Sequence, residues 1–296
     1  MEEKKSLESL ELERKGIKKT LNIMYAVTAV LLVAAVGCFF FLEILGIIFI
    51  VAAVIVISIA VNKRGKFQKT FKSTIVAQLV KDELGPDAIY NPDRGIDINE
   101  INSLKVAKKP DKYHLEDYIS SSYNNVPYEL CDCTMQEKKV TTDGRGHTQT
   151  TYVTYFKGRV IKIDYQRELN MVLKVVNNAP VGFSASGLEK FETEVIDFNK
   201  KFKCYVDDKE HGFYILTPVM INKMMELERM FNGGICYLFM HNNLYVLINN
   251  SSDSLEINIS KPLDEKQINR IKSEILIAAS IINEFSMDAD KYNVNR

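Results

Sequence analysis

Residues 21–61 read LNIMYAVTAVLLVAAVGCFFFLEILGIIFIVAAVIVISIAV, 41 nearly all apolar positions with one charge, Glu43, close to the middle. As one straight helix they would run about 60 Å, twice the ~30 Å hydrocarbon thickness of a bilayer. Folded back at Glu43 they give two segments of spanning length, Leu21–Leu42 and Ile44–Val61. The stretch therefore predicts a transmembrane hairpin, with Glu43 as a turn residue at the far interface. A functional carboxylate inside the membrane would need a basic partner, and this stretch has none.

The flanks set the expected orientation. Arg14, Lys15, Lys18 and Lys19 precede the first span, and Lys63, Arg64, Lys66, Lys69 and Lys72 follow the second. The connection has no Lys or Arg. Positive charge on both outer flanks places both ends in the cytoplasm of a two-pass protein of the cell membrane. The apolar run is too long for a cleavable signal peptide, and no small-residue cleavage site follows it. The five cysteines are odd in number and irregularly spaced, which suits a reducing compartment better than a disulfide framework.

Working outward, the sequence divides into a charged tail (1–20), the hairpin (21–61), a basic juxtamembrane helix (62–85) and a domain over 86–296. The tail reads as a surface helix ending near Gly16. Phe67, Phe71, Ile75, Leu79 and Val80 carry a helical stripe up to the stop at Gly85-Pro86. The five basic residues of this helix either serve as a positive-inside flank or contact anionic lipid headgroups, at roughly 1 kcal/mol each. Beyond Val61 the basic and acidic residues balance at 32 of each sign. A neutral domain lacks the concentrated basic footprint of a nucleic-acid binder.

Residues 86–126 show turn chemistry around short apolar pieces. Strand patterns follow at Tyr128–Met135, Thr150–Phe156, Arg159–Tyr165 and Asn170–Val176, with Gly158 and Asn177-Asn178 as punctuation. Glu192–Ile196 and Phe202–Val206 are further candidates. Thr217-Pro218 opens a helix carrying Ile221, Met224, Leu227 and Phe231 on one face, stopped by Asn232-Gly233-Gly234. Ile235–Met240 and Leu244–Asn249 flank His241-Asn242-Asn243, the pattern of a central hairpin. Asp264 with Gln267 resembles a capping box, and Leu263 with Ile268 a hydrophobic staple, for a long C-terminal helix to about Phe285. The fold class expected is α+β: the hairpin, then a cytoplasmic domain of mainly antiparallel strands with packed helices.

Several segments together resemble the bacterial domain of unknown function 3137. They are Tyr90-Asn91-Pro92 leading to Gly95-Ile96, Glu116-Asp117-Tyr118-Ile119, Phe156-Lys157-Gly158, Asp197-Phe198-Asn199-Lys200-Lys201-Phe202, Tyr214-Ile215-Leu216-Thr217-Pro218 and Leu244-Tyr245-Val246-Leu247-Ile248. Order and spacing match over roughly residues 67–260. The resemblance implies membrane anchoring and no known activity, hence no catalytic residues or cofactor, and it hints at a LemA-like membrane protein as partner.

The residues themselves offer few catalytic constellations. Cys131-Asp132-Cys133 puts two thiols on one strand face, and with His147 they would make a partial zinc set. Packing explains them as well. Cys204, beside Lys203 and near His211, is a candidate activated thiol. Asp207-Asp208 with Glu210 is either a divalent-cation site or a solvated turn. Gly144-Arg145-Gly146 is too short for a phosphate cradle. The expectation is a membrane-tethered binding or scaffolding domain. The alternatives are a thiol- or metal-dependent enzyme, or a small-ligand sensor with a pocket between the sheet and the C-terminal helix.

Overall fold

The computed structural model describes residues 7–39, 42–144, 146–231 and 233–285, and for residues 165–170 and His211 the backbone alone. In chain order the elements begin with α1 (Leu7–Phe39), α2 (Glu43–Phe71), a π-helical turn (Lys72–Val76) and α3 (Ala77–Leu84). Then come β1 (Ile89–Asn91), α4 (Ile98–Ser103), β2 (Lys112–Tyr123), β3 (Val126–Thr142) and β4 (Thr148–Asn177). The last part holds β5 (Glu189–Phe191), α5 (Ile196–Lys201), β6 (Lys203–Val206), α6 (Lys209–Ile215), α7 (Pro218–Phe231), β7 (Gly234–Asn249), α8 (Glu265–Ile275) and α9 (Ile277–Glu284). The chain is α+β and forms two compact bodies, residues 1–79 with 255–271, and residues 80–254 with 272–296.

The first body is built on the α1–α2 pair. The buried residues of α1 include Arg14, Leu21, Thr28 and Ala35, and those of α2 include Gly46, Ala53, Ala60 and Phe67. Both sets recur every seventh residue, the period of a left-handed coiled-coil seam. Where the helices are apolar, the seam is small: Thr28, Ala35, Gly46, Ala53 and Ala60. Without a hydrophobic drive between helices in lipid, small residues let backbones approach and gain dispersion contacts. The approach is close near the tip, where a Cβ on Gly46 would lie 2.7 Å from the Phe39 ring and 3.2 Å from the Ala35 carbonyl oxygen.

The helix predicted to end near Gly16 instead runs through it, because α1 is one helix from Leu7 to Phe39. Its first turns are held by a strap without regular structure, formed by residues 255–264 of the same body. Glu11 binds the Arg14 guanidinium at 2.6 and 2.8 Å and accepts from the Leu263 amide at 2.9 Å. Arg14 donates to the Ile259 carbonyl and Lys18 to that of Ser260. On α2, the Gln68 amide both donates to and accepts from the Ile257 backbone, at 2.7 and 3.3 Å. Leu255, Ile257, Ile259 and Leu263 are buried beneath these bonds. The helix predicted from Lys63 to Leu84 carries a π-turn after Phe71, beside Ser73 and Thr74 hydroxyls that both bond the Thr70 carbonyl.

The second body holds a seven-stranded sheet in the order β1-β2-β3-β4-β6-β5, with β7 on the other edge of β4. Three predicted strands prove to be one: β4 covers Thr150–Phe156, Arg159–Tyr165 and Asn170–Val176 in 30 residues. Gly158 is not a stop but a close approach, since a Cβ there would sit 2.0 Å from the Ile248 carbonyl oxygen. The predicted central hairpin is also a single strand. β7 runs antiparallel along β4 from Asn177↔Ile235 to Gly158↔Asn249, and the register shifts near Leu169, opposite His241, absorb what looked like a turn. Among the described residues β7 pairs with no second strand, so it is an edge there, although Cys236–Phe239 and Leu244–Ile248 are buried.

β2 lies where only turns were expected. Its alternation is broken between Glu116 and Ile119, with Asp117 at φ 58°. Glu192–Ile196 is not a strand, because Ile196 starts α5. The C-terminal helix is broken at Leu276 into α8 and α9. Asp264 does cap α8, accepting from Gln267 N at 3.0 Å, but the Gln267 side chain turns to the strap and accepts from Asn258 N.

One face of the sheet packs Cys131, Cys133, Met135, Phe156, Val160 and Leu247 against Ile96, Ile101, Leu104 and Val106 from the segment around α4. α9 contacts β2, β3 and β4, and α7 contacts β7.

Candidate functional site

The thiols do not make a reactive centre. Cys131 and Cys133 are buried in the core, and Cys131 Sγ accepts from the Ile96 amide at 3.4 Å. Burial pushes the Cys131 and Cys204 thiols up to about 12 and the Cys133 thiol higher still. A nucleophile or metal ligand needs the thiolate, so this environment works the wrong way. His147 is exposed in the β3–β4 turn and bonds Asp143. Thr142↔Thr148 closes that hairpin while Cys133 faces Gly158, so the strand separates His147 from the cysteines by about 30 Å. The side chains of His211, Arg145 and Asn232 lie outside the described residues. Among the described residues no group of three or more His, Cys, Asp and Glu could hold a metal. Asp207 accepts from Val172 N, and Asp208 caps α6 by accepting from Glu210 N, which is turn chemistry.

A feature the sequence reading missed is Arg159. It sits on β4 directly opposite Asp132 of β3, 2% exposed. Its Nε donates to Asp132 Oδ1 at 2.8 Å, and its Nη1 donates to the Glu274 carbonyl at 2.7 Å and carboxylate at 3.3 Å. Asp132 also accepts from Ser254 N. Burial works against the arginine's charge, and Asp132 and Glu274 outweigh it, raising its pKa. The carbonyl it captures is one of the last four of α8, which the helix itself leaves unpaired. The sequence does not single the pair out, since Lys157, Lys162 and Asp164 stand near Arg159 and Glu129 near Asp132; only the strand register joins them. Nη2 has no hydrogen-bond partner among the described residues.

Glu274 also lines a cleft of ≈ 600 Å³ between α7 and the α8–α9 break, with Leu227, Phe231, Asn250, Leu276 and Ile277. That size and mixed lining suit a small molecule or a partner side chain.

The first body has a different site at the base of its hairpin. A cavity of ≈ 120 Å³ is lined by Lys18, Leu21, Asn22 and Tyr25 of α1, Arg64 of α2, and Asn258 to Ser260 of the strap. Of the five basic residues singled out after the second span, Lys63, Arg64, Lys66 and Lys69 are exposed. Lys72 is 5% exposed. The outer face of the pair is apolar and open: Val30 67%, Val33 74%, Val36 63% and Ile44 77% exposed.

These features define a class, a chain with two apolar N-terminal helices long enough to cross a membrane and an antiparallel sheet domain. Residues 154–287 match the family described as Protein of unknown function (DUF3137), which bears out the resemblance over that segment. Four of the six quoted segments lie inside the match, and the two between Tyr90 and Ile119 precede it. A search of curated proteins finds no match. A crystal structure of the mycobacterial trehalose monomycolate transport factor A, TtfA, aligns over 69% of this chain and 95% of that one, at 7% identity and a TM-score of 0.39.

Proposed function

We propose that this chain is a membrane-anchored binding or scaffolding protein, its hairpin crossing the bilayer and its sheet domain lying in the cytoplasm. The observation that carries the reading is the apolar perimeter of the α1–α2 pair. A coiled coil in water has a polar outer face, whereas this one exposes Val, Ile and Leu around a seam of Gly, Ala and Thr. The basic flanks support the orientation, and Lys63, Arg64, Lys66 and Lys69, all exposed, would touch anionic headgroups. Buried, protonated thiols favour binding over thiol catalysis. The resemblance suggests a partner within the same membrane, of the LemA-like kind. A small-ligand sensor is a second reading, favoured by the ≈ 600 Å³ cleft, although that cleft lies between helices and not beneath the sheet.

The test uses intact cells making the full chain. The protein should stay in the membrane through alkaline carbonate, and protease added outside should leave residues 62–296 whole. Release by carbonate, or digestion from outside, would overturn the anchor or the orientation respectively.

A further inference from the structure

We propose that the small cavity at the hairpin base is a binding site for the phosphate of an anionic phospholipid headgroup. This rests on the reading of α1 and α2 as membrane-spanning, and it makes a defined site out of what would otherwise be a diffuse basic flank. Lys18, Leu21, Asn22 and Tyr25 fall at i, i+3, i+4 and i+7, one stripe of α1. Arg64 closes the stripe from α2, and the strap from Asn258 to Ser260 forms the third wall. The lining contains two cations, two carboxamides, a phenol and a serine, and no carboxylate.

Position selects the ligand. The apolar run begins at Leu21 on α1 and ends at Val61 on α2, so Lys18 and Arg64 stand just outside the hydrocarbon while Leu21 and Tyr25 stand at its edge. That is the depth at which phospholipid phosphates lie and where tyrosines anchor. Lys18 spends one donor on the Ser260 carbonyl at 2.8 Å, which fixes its ammonium beside the cavity with two donors left. Arg64 is exposed and makes no hydrogen bond or ion pair among the described residues, leaving its planar fork for two phosphate oxygens. A cavity of ≈ 120 Å³ is on the scale of a phosphate and not of an acyl chain, so the chains would run down the outside of the helices.

The full chain, purified in detergent, is titrated with phosphatidylglycerol or phosphatidylcholine and read by native mass spectrometry. Phosphatidylglycerol should be retained roughly tenfold better. Arg64→Gln breaks no bond within the body and should lose most of that preference, as should Lys18→Gln/Arg64→Gln. Lys19→Gln/Lys261→Gln removes the same charge outside the cavity and should keep it. Equal retention of the two lipids, or equal loss in both double variants, overturns the site. Inorganic phosphate displacing phosphatidylglycerol at comparable concentration would make free phosphate the ligand and overturn the lipid assignment. Flotation with phosphatidylcholine vesicles is run alongside. Flotation without lipid preference sinks this site and leaves the anchor standing, whereas failure to float sinks both.

Discussion

Arg14 and Arg159 are both buried, one in each body, and they are buried on different terms. Each pairs with a carboxylate and caps a backbone carbonyl: Glu11 and Ile259 for Arg14, Asp132 and Glu274 for Arg159. Glu11 is one helical turn from Arg14 and keeps 21% of its side chain exposed, so the pair can form before the strap arrives. Arg159 joins two strands to a helix from 115 residues away, and Asp132 keeps only 4% of its side chain exposed. The first is a local clamp that a tertiary segment uses. The second is a tertiary clamp with no local substitute, and its arginine and aspartate are both shut off from solvent.

That difference predicts the largest effect. Arg159→Met removes the cation paired with Asp132 and leaves a buried carboxylate, a loss of about 3–5 kcal/mol. Chemical unfolding of the full chain in detergent should show it. Asp132→Leu/Arg159→Met, which removes both charges, should recover most of the loss. If the double variant is as unstable as the single, the cluster is held by packing and the comparison with Arg14 collapses.

The next effect lies in the hairpin seam. Gly46→Leu must displace the Phe39 ring and meets the Ala35 carbonyl, an overpacking cost of about 1–3 kcal/mol. Gly37→Leu is on the same pair with nothing within 4 Å of its Cβ and should cost little. A disulfide cross-link between engineered cysteines across α1 and α2 would report the separation, forming fast in Gly37→Leu and slowly in Gly46→Leu.

The sheet core offers a smaller perturbation. Cys131→Ala or Cys133→Ala deletes one buried sulfur and should cost about 1 kcal/mol, with no change in bound metal. At pH 8 a thiol pushed up to about 12 is ionised roughly a thousandfold less than an ordinary one. Cys131 and Cys204 should therefore ignore a thiol reagent until the domain unfolds, and rapid native-state labelling would restore the enzyme reading.

How much of this was legible follows from where each signal lives. The hairpin was legible because a nearly all-apolar run of 41 residues needs no partner to be recognised. Its seam was not, since hydropathy cannot separate an outward-facing Val30 from a seam-facing Ala35, and only side-chain size repeats every seven residues. Thr217-Pro218 and Asp264 were legible because caps are local. The joined strands failed for the opposite reason. Gly158 and His241-Asn242-Asn243 carry turn chemistry, but β4 and β7 pair on both sides of the register shifts around Leu169, and that long-range pairing overrides it. β2 was hidden by the irregularity at Asp117, which shifts its alternation halfway. The site at the hairpin base was half legible: the basic run was visible, whereas the strap that walls the cavity arrives from about 240 residues away.

The smallest effect tests the local clamp itself. Glu11 stands well before the apolar stretch, and its pKa is lowered to about 2, chiefly by the bond to Arg14 and then by the Leu263 amide. A carboxyl depressed in the folded state stabilises it fully above the unfolded value of about 4.3 and loses that contribution as pH falls toward the folded value. Because Glu11 remains partly exposed, solvent screens the pair and the energy is modest. The consequence should therefore be confined to the strap. Amide protection at Ile257, Ile259 and Leu263, taken relative to the intrinsic exchange rate at each pH, should fall between pH 4 and pH 2 while protection in β3 and β4 holds. Glu11→Gln should make the strap fast at every pH and flatten the profile. If strap and sheet loosen together, the clamp at Arg14 is no more local than the one at Arg159, and the distinction drawn between them is wrong.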